Sequence, residues 1–341
     1  MAPQLPEPFI QRPVEFNRLK SALLSGDGDA IALTAPLRGA GGFGKTVLAS
    51  ALAHDEEIQD AFPDGILWVT LGQKPNLVQI LADLIYKLTL EHVAFSKPNV
   101  AANRLKDLLE RRHCLLVIDD AWYRGHLRHL LDGAFGTTHL ITTRRSDILP
   151  SRATRILVDA MTSEEAVQLL GWQIGDVNVA QRNELIRLAS EGLGEWPILL
   201  GLVNGFLRGR IRLGENLEQA IRTVRLRLDR CGLSAFDRTL ETDRTAAIDS
   251  TVRASLDLLA AFDESAGFHA QRYHELAIFA EDVNIPIATI ARLWRRTANS
   301  DAFETDAVLE RFYELALLQL RLVNISTMTL IRQFEFKDGY I

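Results

Sequence analysis

Eight consecutive residues, Gly39-Ala40-Gly41-Gly42-Phe43-Gly44-Lys45-Thr46, fit the spacing GxxxxGK[ST]. An apolar, strand-like run, Ala30–Ala35, precedes them and the helix-like segment VLASALA, beginning at Val47, follows. In that setting the glycines, Gly41, Gly42 and Gly44, let the backbone bend until successive N–H groups of the loop, Phe43 included, face phosphate oxygens. The helix opening at Lys45, Thr46 and Val47 adds the positive end of its dipole, and Lys45 adds a mobile charge. Thr46 supplies a hydroxyl for Mg2+. Farther along, Leu115–Ile118 is an apolar strand ending in Asp119 and Asp120. Beside a phosphate loop, Asp119 is placed to hold Mg2+ through water and Asp120 to orient or deprotonate an attacking water. Two adjacent carboxylates repel unless a cation or hydrogen-bond donors lie nearby. A further strand ends in Thr142-Thr143-Arg144-Arg145, which brings Arg144 to the carboxyl edge of a sheet where a planar guanidinium can sense a γ-phosphate. The other reading of Arg144 is a surface arginine that follows a strand. Together these residues point to a nucleoside phosphate as ligand and to Lys45, Asp120 and Arg144 as the groups that act on it.

Positioning such groups takes a parallel sheet with helices on its faces. Short apolar runs at Ala30–Ala35, Ile66–Leu71, Cys114–Asp119, His139–Thr143 and Arg155–Val158 alternate with longer helical patterns such as Leu77–Leu90, the rhythm of an α/β domain. After Val158 strand signals nearly stop, and Thr162 and Ser163 followed by Glu164 and Glu165 open a helix. Helical patterns continue at Gln181–Gly192, Pro197–Arg208 and Leu217–Asp229, then a polar stretch, Ser234–Arg244, reads as a linker. The last segment has helical patterns at Ser250–Ala261, Tyr273–Phe279, Ile287–Arg295 and Ala307–Leu317, then β-prone runs at Leu320–Ile325 and Met328–Phe336. The expected architecture is an α/β P-loop NTPase domain with a parallel sheet (1–158), a helical bundle (159–244) and a winged-helix domain (245–341).

Composition narrows the class. The 341 residues are 47% hydrophobic and 24% charged, which excludes a disordered chain and a disulfide-framed miniature. The longest apolar stretch, Trp196–Leu207, is interrupted by Asn204 and is shorter than the roughly 18 residues a membrane span needs. No membrane partner is expected. The N-terminus lacks a basic, then apolar, secretory pattern, so the expected location is cytoplasmic. Cys114 and Cys231 are the only cysteines, and Cys114 reads as a buried, reduced thiol. A net charge of −6 gives the whole chain no attraction for a polyanion.

In order along the chain, these residues resemble the NB-ARC module of STAND-class signalling ATPases, the family of apoptosome scaffolds, plant disease-resistance receptors and bacterial relatives. Phe9-Ile10-Gln11-Arg12 resembles the family's N-terminal segment, whose apolar residues pack on adenine and whose arginine lies near the nucleotide. Phe62–Gln73 resembles its second strand, Leu115–Trp122 its Walker B strand and Ile141–Arg145 its sensor-one strand. Gly194–Leu200 is similar to the element whose proline, here Pro197, contacts base or sugar, although a proline in the first turn of a helix is also commonplace. The resemblance implies three packed parts that close on ADP and open on ATP exchange to form a homo-oligomer, with slow ATP hydrolysis and with ADP/ATP and Mg2+ as cofactors. It also implies effector and sensor domains outside this chain, making it a central module. The family's terminal Met-His-Asp element aligns here with Phe336-Lys337-Asp338. Lys337 thus replaces a histidine that reaches the β-phosphate, and it can hold phosphate as a point charge without titrating near neutrality. Gln11 stands where glycine is usual, and Pro36-Leu37-Arg38 lengthens the approach to the loop. Adenine over guanine follows from the resemblance, no guanine-reading NKxD-like sequence being evident.

Two other classes compete. Arg292, Arg295 and Arg296 would suit a winged-helix DNA-binding regulator, but the acidic chain and the intervening Leu293 and Trp294 favour a packed face, so DNA is not an expected partner. A ring-forming motor would need sustained turnover of about 1 s⁻¹ or faster. The arginines Arg222, Arg225, Arg227 and Arg230 read as a solvated helix face, and Trp68, Trp122 and Trp172 as packing residues.

Overall fold

The computed structural model describes residues 2–25, 30–34, 42–131, 137–230, 268–279, 284–315, 317–321 and 327–330. Two compact units result: Met1–Leu5 with Gln11–Asp159, and Pro6–Ile10 with Ala160–Ile341.

The first unit is built on a five-stranded sheet of β1 (Ala30–Thr34), β2 (Ile66–Gly72), β3 (Leu115–Ala121), β4 (Thr138–Thr143) and β5 (Thr154–Leu157). Every described pairing is parallel and the order is β2-β3-β4-β1-β5. A parallel sheet is covered on both faces, so its inner strands are continuous apolar runs rather than alternating ones. That is why all five residues of β1, and Leu115 to Ile118 of β3, are buried. Leu81, Leu84 and Ile85 of α4 (Leu77–Thr89) join Ala101, Leu105 and Leu109 of α5 (Pro98–Leu109) on one side. With Leu127 and Leu130 of α6 (Arg124–Leu131) they form one core with Ala32, Val69, Leu116, Ile118 and Ile141. Neighbouring strand residues point to opposite faces. Ile31, Leu33, Val117 and Leu140, all buried, therefore face the other layer. There α1 (Pro13–Ser25) packs on β5, α2 (Lys45–Ala53) on β3 and β4, and the short α3 (Glu56–Ala61) on α1 and α2.

Strand order reverses direction at β1. From β1 the chain crosses to β2, returns through β3 to β4 beside β1, and then passes over to β5. Such a reversal opens a crevice at the carboxyl ends of the strands. The expected strands exist, with changed ends: β3 starts after Cys114 and continues to Ala121, because Asp119 still pairs with Thr70 of β2 and Ala121 pairs with Thr143 of β4 beyond a register shift at Asp119 and Asp120. Cys114 is fully buried with its Sγ 3.6 Å from Thr137 Oγ1, as a packed thiol should be.

In the second unit, α7 (Ser163–Leu170), α8 (Val179–Arg187), α9 (Pro197–Arg212) and α10 (Leu217–Arg230) pack on one another. Leu170, Leu185, Leu199, Val203, Phe206 and Ile221 are buried there. Helix α7 opens with a capping box: Thr162 Oγ1 accepts the Glu165 N–H at 3.3 Å and Glu165 Oε2 accepts the Thr162 N–H at 2.9 Å. The helical pattern expected to reach Gly192 stays α-helical only to Arg187 and widens into a π-turn, Leu188–Gly192.

The C-terminal described elements are α11 (Phe268–Glu275), β6 (Asn284–Pro286), α12 (Ile287–Thr297), α13 (Ala302–Glu314), β7 (Leu318–Arg321) and β8 (Thr327–Leu330). Their strands form an antiparallel sheet in the order β6-β8-β7. Helix α13 starts five residues before the expected Ala307, since Asp301 and Glu304 make a capping box at its true start. Strand β6 is too short for any alternation to betray it. The expected linker Ser234–Arg244, the helix Ser250–Ala261, the boundary at 244/245 and the end of the last β-prone run lie outside the described residues. No helix among the described residues is long and apolar enough to cross a membrane.

Candidate nucleotide site

Helix α2 begins at Lys45, directly after Gly42, Phe43 and Gly44. Gly44, its N-cap residue, has φ 84°, and Gly42 has φ 79°, a left-handed region that an L side chain enters only with strain. Gly44 has no side chain with which to cap this helix start, and the N–H groups of a helix's first turn are the natural seat of an external anion. Lys45 is 8% exposed. Burial, and secondarily the nearby charge of Arg144, pull its ammonium down to about 8 against the weaker pull of Asp120 and Asp119. A buried cation beside a second cation is the setting an anion would relieve.

Strand β4, inserted between β1 and β3, completes the site. Ile118 pairs with Ile141 and Ala121 with Thr143, so Asp119 and Asp120 together face the single residue Thr142. This two-against-one arrangement re-aims the strand end, and Asp120 turns into the left-handed region at φ 51°, which aspartate tolerates better than most residues. The Thr142 hydroxyl binds both: it donates to Asp119 Oδ1 at 2.7 Å and accepts the Asp120 N–H at 2.9 Å. Asp119, 4% exposed, also accepts Thr46 Oγ1 on Oδ1 at 2.7 Å and Thr70 Oγ1 on Oδ2 at 3.5 Å. Asp120 Oδ2 accepts the indole N–H of Trp122 at 2.8 Å, and Asp120 Oδ1 lies 3.9 Å from Arg144 Nε. The guanidinium of Arg144 sits 5.2 Å from the centre of the Trp122 ring. The donors needed beside two adjacent carboxylates are therefore hydroxyls for Asp119 and an indole and a guanidinium for Asp120.

These residues fit a magnesium nucleotide. Thr46 Oγ1 and Asp119 Oδ1 are hard oxygen donors held together, and Mg2+ takes few protein ligands, completing its shell with water and phosphate oxygens. Among the described residues no cluster of three or more His, Cys, Asp or Glu could hold a metal unaided. Lys45 and the open start of α2 supply the anion-binding half.

Of the other expected site residues, Arg12 is buried and its NH1 donates to Phe43 O at 3.0 Å, while its NH2 donates to Glu15 Oε1 at 2.8 Å and Asp159 O at 3.1 Å. It thus braces the turn before α2 against the end of the first unit. Phe43 is buried and Val47 half-buried. Phe9 and Ile10 are half-buried in the short segment grouped with the second unit. Pro197 occupies the first turn of α9, where its missing N–H and fixed φ suit a helix start. Gly41 and Lys337 lie outside the described residues. Residue reasoning passed over Thr70, Thr142 and Trp122. Trp122, read as packing, places its N–H and its ring on the two groups that matter; its position two residues after Asp120 was the available signal.

Residues 13–179 match the model of the NB-ARC domain. The chain is 25% identical over 332 residues to Apoptotic protease-activating factor 1 from Danio rerio, covering 93% of this chain and 24% of that protein. It is 27% identical over 317 residues to Regulatory protein AfsR from Streptomyces griseus, covering 91% of this chain and 30% of that protein. Its fold is similar to that of the Signal Transduction ATPase with Numerous Domains (STAND) protein with a tetratricopeptide repeat sensor from Pyrococcus horikoshii. That likeness has a TM-score of 0.55 at 14% identity and covers 96% of this chain and 42% of the other. The chain spans less than a third of the length of both curated relatives.

Proposed function

We propose, from the match of residues 13–179 to the NB-ARC domain, that this chain carries a nucleotide-binding module and is a nucleotide-dependent switch. It binds ADP or ATP with Mg2+, rests closed on ADP, opens on ATP exchange to assemble with further copies, and resets by slow hydrolysis. The observation that carries the reading is the meeting of Lys45, Thr46, Asp119, Asp120 and Arg144 at one edge of one sheet, with Lys45 buried beside a second cation.

In this reading Lys45 and the N–H groups that open α2 hold the phosphates, and Thr46 and Asp119 hold the metal, which neutralises phosphate charge when bound. Asp120 orients the water that attacks the γ-phosphorus, and Arg144 answers to the γ-phosphate. Phe9, Ile10 and Arg12 serve the base side. A ligand shifts a conformational equilibrium only through contacts that differ between states. Pro197 and Lys337 are the candidates for contacts made only in the closed form. Support for a winged helix comes from the order helix, strand, helix, helix, strand, strand over α11 to β8, with sheet order β6-β8-β7.

A second reading, DNA binding, is favoured by the exposure of Arg292, Arg295 and Arg296 on α12. Against it, the helix before the terminal β-hairpin, α13, exposes Glu304, Asp306 and Glu310, which would repel phosphates.

The deciding experiment is to purify the chain without added nucleotide, denature it, and identify what is released by chromatography and mass spectrometry. Stoichiometric ADP supports the switch and makes Lys337 a working substitute for histidine. An empty chain that binds ADP and ATP weakly removes the ADP lock. Unchanged ADP affinity and unchanged solution shape in Pro197→Ala and Lys337→Ala would sink the three-part closure. Salt-dependent DNA binding lost on replacing the three arginines would favour the second reading.

A further inference from the structure

We propose that Trp122 is a positioning residue that couples Arg144 to Asp120, so that recognition of the third phosphate and orientation of the attacking water pass through one indole. This rests on reading the edge of the sheet as a nucleoside-phosphate site.

Three contacts carry it. The Trp122 N–H donates to Asp120 Oδ2 at 2.8 Å, the Arg144 guanidinium lies 5.2 Å from the Trp122 ring centre, and Arg144 Nε stands 3.9 Å from Asp120 Oδ1. The two Trp122 contacts differ in kind. The ring face holds a guanidinium without consuming any of its N–H donors, so Arg144 stays planar, fixed and free to donate elsewhere. The indole N–H fixes one carboxylate oxygen of Asp120 and leaves the other to be shared. At 3.9 Å the pair between Arg144 and Asp120 is long for a hydrogen bond, so it is the contact most easily given up.

The consequence is an exchange. Without a third phosphate, Arg144 rests between the Trp122 face and Asp120 Oδ1. With one, Arg144 turns its N–H groups toward the phosphate while keeping the ring contact. Oδ1 is then released as an acceptor for water, and Trp122 still holds Oδ2. The same side chain keeps Arg144 on its ring face in both arrangements and keeps Asp120 from following Arg144 to the phosphate. Backbone geometry supports the assignment: Asp120 sits at φ 51° in the two-against-one step opposite Thr142, so its main chain is fixed and its carboxylate orientation is left to Trp122 and Arg144.

The test is a double-mutant cycle on binding. Dissociation constants for ADP and for a non-hydrolysable ATP analogue are measured by displacement of a fluorescent nucleotide from the wild type, Trp122→Leu, Arg144→Ala and the double variant. The readout is the preference for the analogue over ADP, which simple structural damage, weakening both, would not move. Arg144→Ala is expected to lower that preference about tenfold and Trp122→Leu about fivefold, with the double variant no lower than Arg144→Ala alone. Arg144→Lys, which keeps charge but not the planar face, should resemble Trp122→Leu. Trp122→Phe keeps the face and lacks the N–H; it should retain the preference and lose about tenfold in single-turnover hydrolysis.

An unchanged preference in Trp122→Leu, or losses that multiply in the double variant, overturns the coupling. Should Lys45→Met bind nucleotide as well as the wild type, the phosphate-site reading itself falls. Loss of binding in Lys45→Met with an unmoved preference in Trp122→Leu brings down this inference alone.

Discussion

Lys45 concentrates the site's energetics. Its folded value of about 8 lies below the ordinary 10.5, so the empty protein bears the cost of a buried charge, about 3 kcal/mol below pH 8. The unfolded chain binds more protons between pH 8 and 10.5, hence this cost shrinks as pH rises through that window. Lys45→Met should therefore abolish nucleotide binding and yet stabilise the nucleotide-free chain by up to about 3 kcal/mol, seen as a raised midpoint in urea. A lowered midpoint would mean that the ammonium is already well paired in the empty protein. Phosphate favours the charged lysine, so binding takes up no proton below pH 8 and one proton above it. ADP affinity is expected to be flat from pH 7 to 8 and to fall by up to about tenfold per pH unit above that. Calorimetry in buffers of different ionisation enthalpy would show the proton uptake directly, and an affinity that rises above pH 8 would contradict this assignment.

At the scale of elements, the site depends on the end of β3 more than on its middle. A regular strand would send Asp119 and Asp120 to opposite faces. The extra residue opposite Thr142 lets Asp119 stay buried against Thr46 while Asp120 turns to Trp122 and Arg144. Because Asp120 holds φ 51°, Asp120→Asn should fold with wild-type stability, whereas Asp120→Ile should lose roughly 1–2 kcal/mol or more from the backbone alone. Denaturation midpoints of the two variants compare them, and equal midpoints would remove the backbone constraint. Arg12 acts at the same scale: by holding Phe43 O it steadies the turn that leads into Gly44 and Lys45.

At the scale of the molecule, the second unit contains its own close contact. A Cβ built on Gly205 of α9 would stand 2.4 Å from the carbonyl carbon and oxygen of Leu315, just past α13. Backbone cannot yield as the tip of a side chain can, so Gly205→Val should cost about 2 kcal/mol or more and loosen α9 from the C-terminal elements. Limited proteolysis would register this as faster cleavage, and an unchanged rate would show that the contact relaxes freely. The sequence by itself determined the phosphate loop, the acidic strand end, the alternation of strands and helices in the first unit and the caps of α7, since each is a local pattern whose meaning depends on neighbours in the chain. It misjudged the start of α13, whose Asp301–Glu304 box was passed over, and missed β6, which is too short to show a period. Only the tertiary structure decided that β4 lies between β1 and β3, since strand order follows from how helices pack on both faces and not from any local run. That insertion sets Thr142 between the two carboxylates and brings Arg144 onto Trp122, turning a residue read as packing into part of the site.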